Sequence, residues 1–119
     1  MYRKLNIWNK SLELIKVIYS YAEKLPKGEE YNLKSQIKRA IISVNLNIAE
    51  GKCRKSAKDF IHFLNISSAS LSEVECILFI CRYLGYFEIE EDVFVNIKNL
   101  NRQINSLINK LNRDIKNEK

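Results

Sequence analysis

The chain is poor in the residues that break or staple a fold: 119 residues hold one proline, three glycines, three cysteines and one histidine. So little proline and glycine excludes a collagen-like or low-complexity chain. No uncharged apolar run approaches the roughly 18 residues of a membrane span, so no membrane partner is expected. The first residues, MYRKLNIWNKSLELIK, are too polar for a secretory leader. Cys53, Cys76 and Cys81 are odd in number and lack CxxC spacing, which excludes a disulfide framework and a zinc ligand set. Cys76 and Cys81 sit among Ile77, Leu78, Phe79 and Ile80 and read as small core residues; Cys53, beside Lys52, Arg54 and Lys55, reads as a turn residue. Free thiols fit a reducing compartment, the cytoplasm. His62 follows Asp59 by three positions, but bundle metal sites draw several Glu and His residues from facing helices. It reads as a surface histidine, and neither metal nor cofactor is expected.

What is present is 46% apolar and 29% charged residues with a net charge of +6. This is the composition of a globular chain, and its length fits one domain, residues 1–119. Pro26 with Gly28, then Gly51, then Gly85 interrupt the apolar periodicity. Four helices are predicted between these breaks, near residues 6–24, 32–50, 56–84 and 89–116. Short connections make neighbours antiparallel, giving an all-α, up-down-up-down four-helix bundle. Helix 1 offers Trp8, Leu12, Ile15, Tyr19 and Ala22 as its core stripe. Ser56 is the expected N-cap of helix 3, with Asp59 three residues on. That helix continues through Phe60, Phe63, Leu64, Leu71, Val74, Ile77, Leu78, Cys81 and Leu84. Helix 4 presents Val93, Ile97, Leu100, Ile104, Leu107 and Leu111 at alternating spacings of four and three.

Helix 2 carries more apolar surface than a lone bundle uses. Leu33, Ile37, Ala40, Ile41, Val44 and Ile48 form a core stripe, and Ile42, Leu46 and Ala49 form a second about 140° away. Lys34, Lys38 and Asn45 lie between the stripes on one side. Gln36, Arg39, Ser43, Asn47 and Glu50 make a polar ribbon on the other. A second apolar stripe predicts burial against another subunit, so a homo-oligomer is expected. Arg39 and Glu50 are too far apart to pair and must look to another helix or subunit; Glu73 and Glu75 are candidates for Arg39. Ser43 has no positioned base beside it, so the ribbon reads as a hydrogen-bond network, not a catalytic triad. The chain reads as a non-enzyme without a small-molecule substrate.

Charge is unevenly placed. Lys34, Lys38, Arg39, Lys52, Arg54, Lys55 and Lys58 face only Glu50 between residues 34 and 58, whereas residues 73–92 hold six acids against Arg82. Lys34, Lys38, Lys52, Arg54, Lys55 and Lys58 are therefore candidate phosphate contacts, and RNA is the expected polyanion.

The order of residues also resembles a family. Leu5-x-Ile7-Trp8, Leu25-Pro26 and Tyr31-x-Leu33-x-Ser35-Gln36-Ile37-x-Arg39-Ala40 precede Ser43-Val44-x-x-Asn47-Ile48-Ala49-Glu50-Gly51. Asp59-Phe60-Ile61-x-Phe63-Leu64, Ser70-Leu71-x-Glu73-Val74-Glu75 and Leu84-Gly85-Tyr86 follow. The pattern resembles bacterial four-helix bundle proteins encoded in intervening sequences of 23S rRNA genes, also labelled S23 ribosomal proteins. The resemblance implies a homopentameric ring with a central channel, and a kinship with the basic accessory proteins of diversity-generating retroelements. Asn45 stands where that pattern often has proline, which implies a straighter helix 2. Ser67 and Ala69 replace a common Ala and Gly, which implies looser packing there.

Overall fold

The computed structural model describes residues 1–118, and the described residues form helices without a strand. The helices are α1 (Asn6–Ala22), α2 (Leu33–Lys52), α3 (Ala57–Tyr83) and α4 (Glu91–Asn117), with 3-10 turns at Tyr2–Lys4 and Lys27–Glu29. Both ends of α3 and the start of α4 have identifiable causes. Ser56 caps α3, its Oγ accepting the Asp59 amide at 3.1 Å. Gly85 closes that helix at φ 76°, where Gly85 N–H donates to Arg82 O and Tyr86 N–H to Cys81 O, the paired bonds of a Schellman motif. At the start of α4, the Tyr21 hydroxyl accepts the Glu90 amide, and Glu91 and Asp92 complement the helix dipole.

Cross-helix bonds fix the direction of the chain. Asn45 meets Ser11 while Lys38 meets Glu23; Ser43 meets Ser70 while Val44 O accepts from Ser67; Ser68 meets Asn101 while Phe79 stacks on Phe94. On α1–α2 and on α3–α4, one residue number rises as the other falls, and the α2–α3 bonds agree. Neighbouring helices are antiparallel, and the bundle measures 53 × 24 × 20 Å. Ile18, Ile41, Val44, Ile48, Leu64, Leu71, Val74, Leu78 and Ile104 are fully buried in one core.

The structure moves several expectations. The buried stripe of α1 is Ile7, Ser11, Leu14, Ile18 and Tyr21, continued by Leu25 after the helix. Of the stripe expected from the sequence only Ala22 is buried; Trp8, Ile15 and Tyr19 flank the core and Leu12 is exposed. Ser11 disguised the true stripe. Its hydroxyl donates to Trp8 O at 2.7 Å and accepts from the buried Asn45 amide at 2.9 Å, so a polar pair replaces an apolar contact without an orphaned group. Asn45 thus faces the core side, and α2 runs unbroken through it.

Gly51 does not end α2 but lies buried within it. A Cβ there would stand 2.8 Å from Phe60 Cδ1 and 2.9 Å from Phe63 Cβ, so glycine serves close approach of α3. Cys81 is buried, and burial raises its thiol pKa, but Cys76 is exposed because it points away from the core. Leu84 is exposed and Phe63 half-buried, while Ile108 joins the core of α4 with Leu107 and Leu111 half-buried beside it. Ser67 is not a loose spot: it is fully buried and its Oγ donates to Val44 O at 2.8 Å.

One helix comes nearer to a membrane span than the run lengths suggest. α3 contains an 18-residue window of mean hydropathy 1.4, and it is the one described helix long and apolar enough to cross a bilayer. It serves here as a core helix packed between α2 and α4, with further apolar residues on its outer side.

Candidate functional site

Antiparallel packing gathers four helix termini at one end. The turn from α2 to α3 brings Lys52, Arg54, Lys55 and Lys58 there, and the Tyr2–Lys4 turn packs beside α2, where Tyr2 shares a surface depression with Leu46, Asn47 and Cys53. Asn101 lies level with Ser68, so at about 1.5 Å per residue position 112 of α4 is level with the first turn of α3. Arg113 and Lys116 therefore reach the same end. Among the described residues Arg3, Lys4, Lys52, Arg54, Lys55, Lys58, Lys110, Arg113 and Lys116 stand there against Glu50, Asp59, Asp114 and Glu118, nine bases against four acids.

Within this end the bases differ in freedom. Arg54 pairs with Glu50 one turn earlier and lies 4.8 Å over the Phe63 ring; Lys52 lies 5.9 Å over Phe60. Lys52, Lys55 and Lys58 form no ion pair among the described residues and are exposed. Lys34 and Lys38 are not brought to them. Lys34 and Lys52 are separated by about 27 Å along α2, at about 1.5 Å per residue. Lys34 binds Glu30 and Glu23 at 3.1 and 3.2 Å, and Lys38 binds Glu23 at 2.7 Å. The Lys38 and Lys34 bonds hold the Glu23 carboxyl below its ordinary pKa, while Glu30 and Glu23 raise that of Lys34. These two lysines neutralise acids at the far end.

The ribbon on α2 divides in the same way. Gln36 donates to Asn32 and Arg39 to Ser35, both on or beside their own helix, and Arg39 meets neither Glu73 nor Glu75. Glu50 is paired through Arg54 and does not reach another helix. Only the middle of the ribbon crosses to α3. Ser43 Oγ is 2.9 Å from Ser70 Oγ, and Asn47 Nδ2 donates to Ser43 O and Oγ. No base stands beside the Ser43 hydroxyl, and His62 is exposed on α3 against the edge of Phe63. Of the second apolar stripe Leu46 is 60% exposed, whereas Ile42 packs half-buried against the bundle's own core and Ala49 is half-buried.

Two ties escaped the sequence reading. Tyr86 donates to Glu29 at 2.6 Å, joining the α1–α2 connection to the α3–α4 connection, and Ser68 donates to Asn101. Both join residues distant in sequence, and no local pattern announces such a pair. The Tyr86 bond lowers the Glu29 pKa and raises that of the phenol.

Comparison with known proteins adds to this geometry. A model described as 23S rRNA-intervening sequence protein matches residues 3–110. A crystal structure of a protein of unknown function from the S23 ribosomal protein family of Bacteroides thetaiotaomicron superposes with a TM-score of 0.68 at 30% identity, over 86% of this chain and 94% of that one. No curated protein matches.

Proposed function

From the premise that this chain belongs to the 23S rRNA-intervening sequence protein family, we propose that it is a non-enzymatic, self-associating bundle that binds RNA through its basic end. The convergence of four helix termini into a surface of nine bases and four acids carries this reading. Lys52, Lys55 and Lys58 are exposed and form no ion pair among the described residues, so their cations are free to meet phosphate. Phe60 and Phe63 lie beneath Lys52 and Arg54 and hold their cations at the surface. Backbone contact of this kind carries no base sequence, so the recognition is of charge and shape. Three free thiols, two of them exposed, suit the cytoplasm.

Retention of a labelled 23S rRNA fragment at several salt concentrations tests the proposal. Binding should fall steeply with salt, and Lys52/Arg54/Lys55→Ala should abolish it while leaving assembly intact. No retention at low salt would overturn RNA binding.

Self-association rests on Leu46, which at 60% exposure forgoes part of the roughly 1.5–3 kcal/mol that full burial of an aliphatic side chain gains. The family resemblance makes a pentamer the expected assembly. Leu46→Glu should lower the mass measured by light scattering without loss of helix content; an unchanged mass, or a monomeric wild type, removes this half of the proposal. An interaction adaptor that binds no nucleic acid is the second reading, favoured by the apolar outer side of α3.

A further inference from the structure

Cations and open aromatic rings are segregated on this molecule. Tyr31 is 97% exposed, Tyr83 90% and Phe79 44%, and all three lie toward the end opposite the basic turn. Tyr31 just precedes α2, Tyr83 is the last residue of α3, and Phe79 stacks on Phe94 in the first turn of α4. The rings at the basic end are already engaged. Phe60 is buried beneath Lys52, and the Arg54 guanidinium lies 4.8 Å over the half-buried Phe63. Tyr2 and Trp8, both half-buried, pack edge to face with centroids 5.3 Å apart. Among the described residues His62 is the one exposed ring near that end, edge-on to Phe63 and a turn along α3 from Lys58.

We propose that the basic end takes the phosphate backbone of double-stranded RNA, a helical stem, in preference to unpaired RNA. This names the form of RNA for the binding proposed above and rests on that reading. Unpaired RNA is held by stacking its bases on open aromatic faces as well as by its phosphates; a duplex hides its base faces. Where no ring is open, phosphate density decides. Across the 20 Å short side of the bundle a duplex, at one charge per roughly 1.7 Å, presents about 12 phosphates, and either strand alone about half as many. Arg54 then acts as a cover. Glu50 already offsets its charge, and its guanidinium denies unpaired bases the face of Phe63.

Separate titrations with a short labelled RNA duplex and with one of its unstructured strands test this. At moderate salt the wild type should bind the duplex about tenfold more tightly or better, with the steeper dependence on salt. Arg54→Ala bares Phe63 and should narrow that gap severalfold. Lys55→Ala removes a charge that covers no ring, so it should weaken both forms and leave the gap nearly as it was. Both residues are exposed, so neither change should unfold the bundle. A single strand bound as tightly as the duplex overturns the preference and leaves RNA binding standing. Equal narrowing by Arg54→Ala and Lys55→Ala overturns the role of Arg54 as a cover. Binding of neither form at low salt removes RNA binding itself.

Discussion

Gly51 shows how one side chain can carry opposite meanings. In sequence it punctuates apolar periodicity and predicts a helix break, yet it lies inside α2 with Phe60 and Phe63 against its bare Cα. Alanine would gain about 1 kcal/mol of helix propensity there. It would also overpack a tight contact, at about 1–3 kcal/mol. Phe63 Cβ is tied to the backbone and cannot swing aside, so the clash should win. Gly51→Ala should unfold at lower denaturant than the wild type, whereas Gly28→Ala, with nothing within 4 Å of its added carbon, should not. Equal midpoints for all three proteins would disprove the close-approach account. Asn45 and Ser11 teach the same lesson from the polar side. Both are polar residues on helix faces, and each is buried because the other satisfies it.

Four elements were legible because their breaks and periodicity agree, and their ends fall within a few residues of expectation. The face of α1 was not. Two apolar stripes of the same period run side by side on it, and only a partner on α2 decides which is buried. Leu14→Ala should therefore cost about 2–5 kcal/mol in a denaturation curve, whereas Leu12→Lys should change stability by less than about 0.5 kcal/mol. A larger loss at Leu12 would restore the sequence-derived stripe. The connections between elements have a pH signature of their own. The Tyr86 hydroxyl keeps the Glu29 pKa below its ordinary value, so the tie stabilises the fold above the ordinary glutamate pKa and is lost as pH falls through the depressed one. The phenol is shifted upward, so the opposite limit lies beyond the ordinary tyrosine pKa, on the alkaline side. Thermal melts of Tyr86→Phe should thus lie below the wild type at about pH 7, and the gap should close as pH falls through the depressed Glu29 pKa. A constant gap would mean that the bond to Glu29 does not titrate.

At the scale of the molecule, charge is a property of placement more than of total. Glu23, Glu29, Glu30, Glu88, Glu90, Glu91 and Asp92 outnumber Lys24, Lys27, Lys34, Lys38 and Arg82 at one end, while bases dominate the other. Removing Lys24 and Lys27 together should leave retention of the rRNA fragment nearly unchanged. Removing Lys52 and Lys55 changes net charge by the same amount and should weaken retention severalfold at moderate salt. Similar losses from the two pairs would show that net charge alone governs binding.

The basic turn at residues 52–58 and the exposure of Leu46 on α2 could be read from the chain because both are local: neighbours within two turns share an environment wherever the helix is placed. The separation of Lys34 and Lys38 from that turn, the pairing of Glu50 with Arg54, and the apolar outer side of α3 could not. Those follow from how antiparallel helices align their ends and divide their faces between core and water, and that division depends on neighbours tens of residues away.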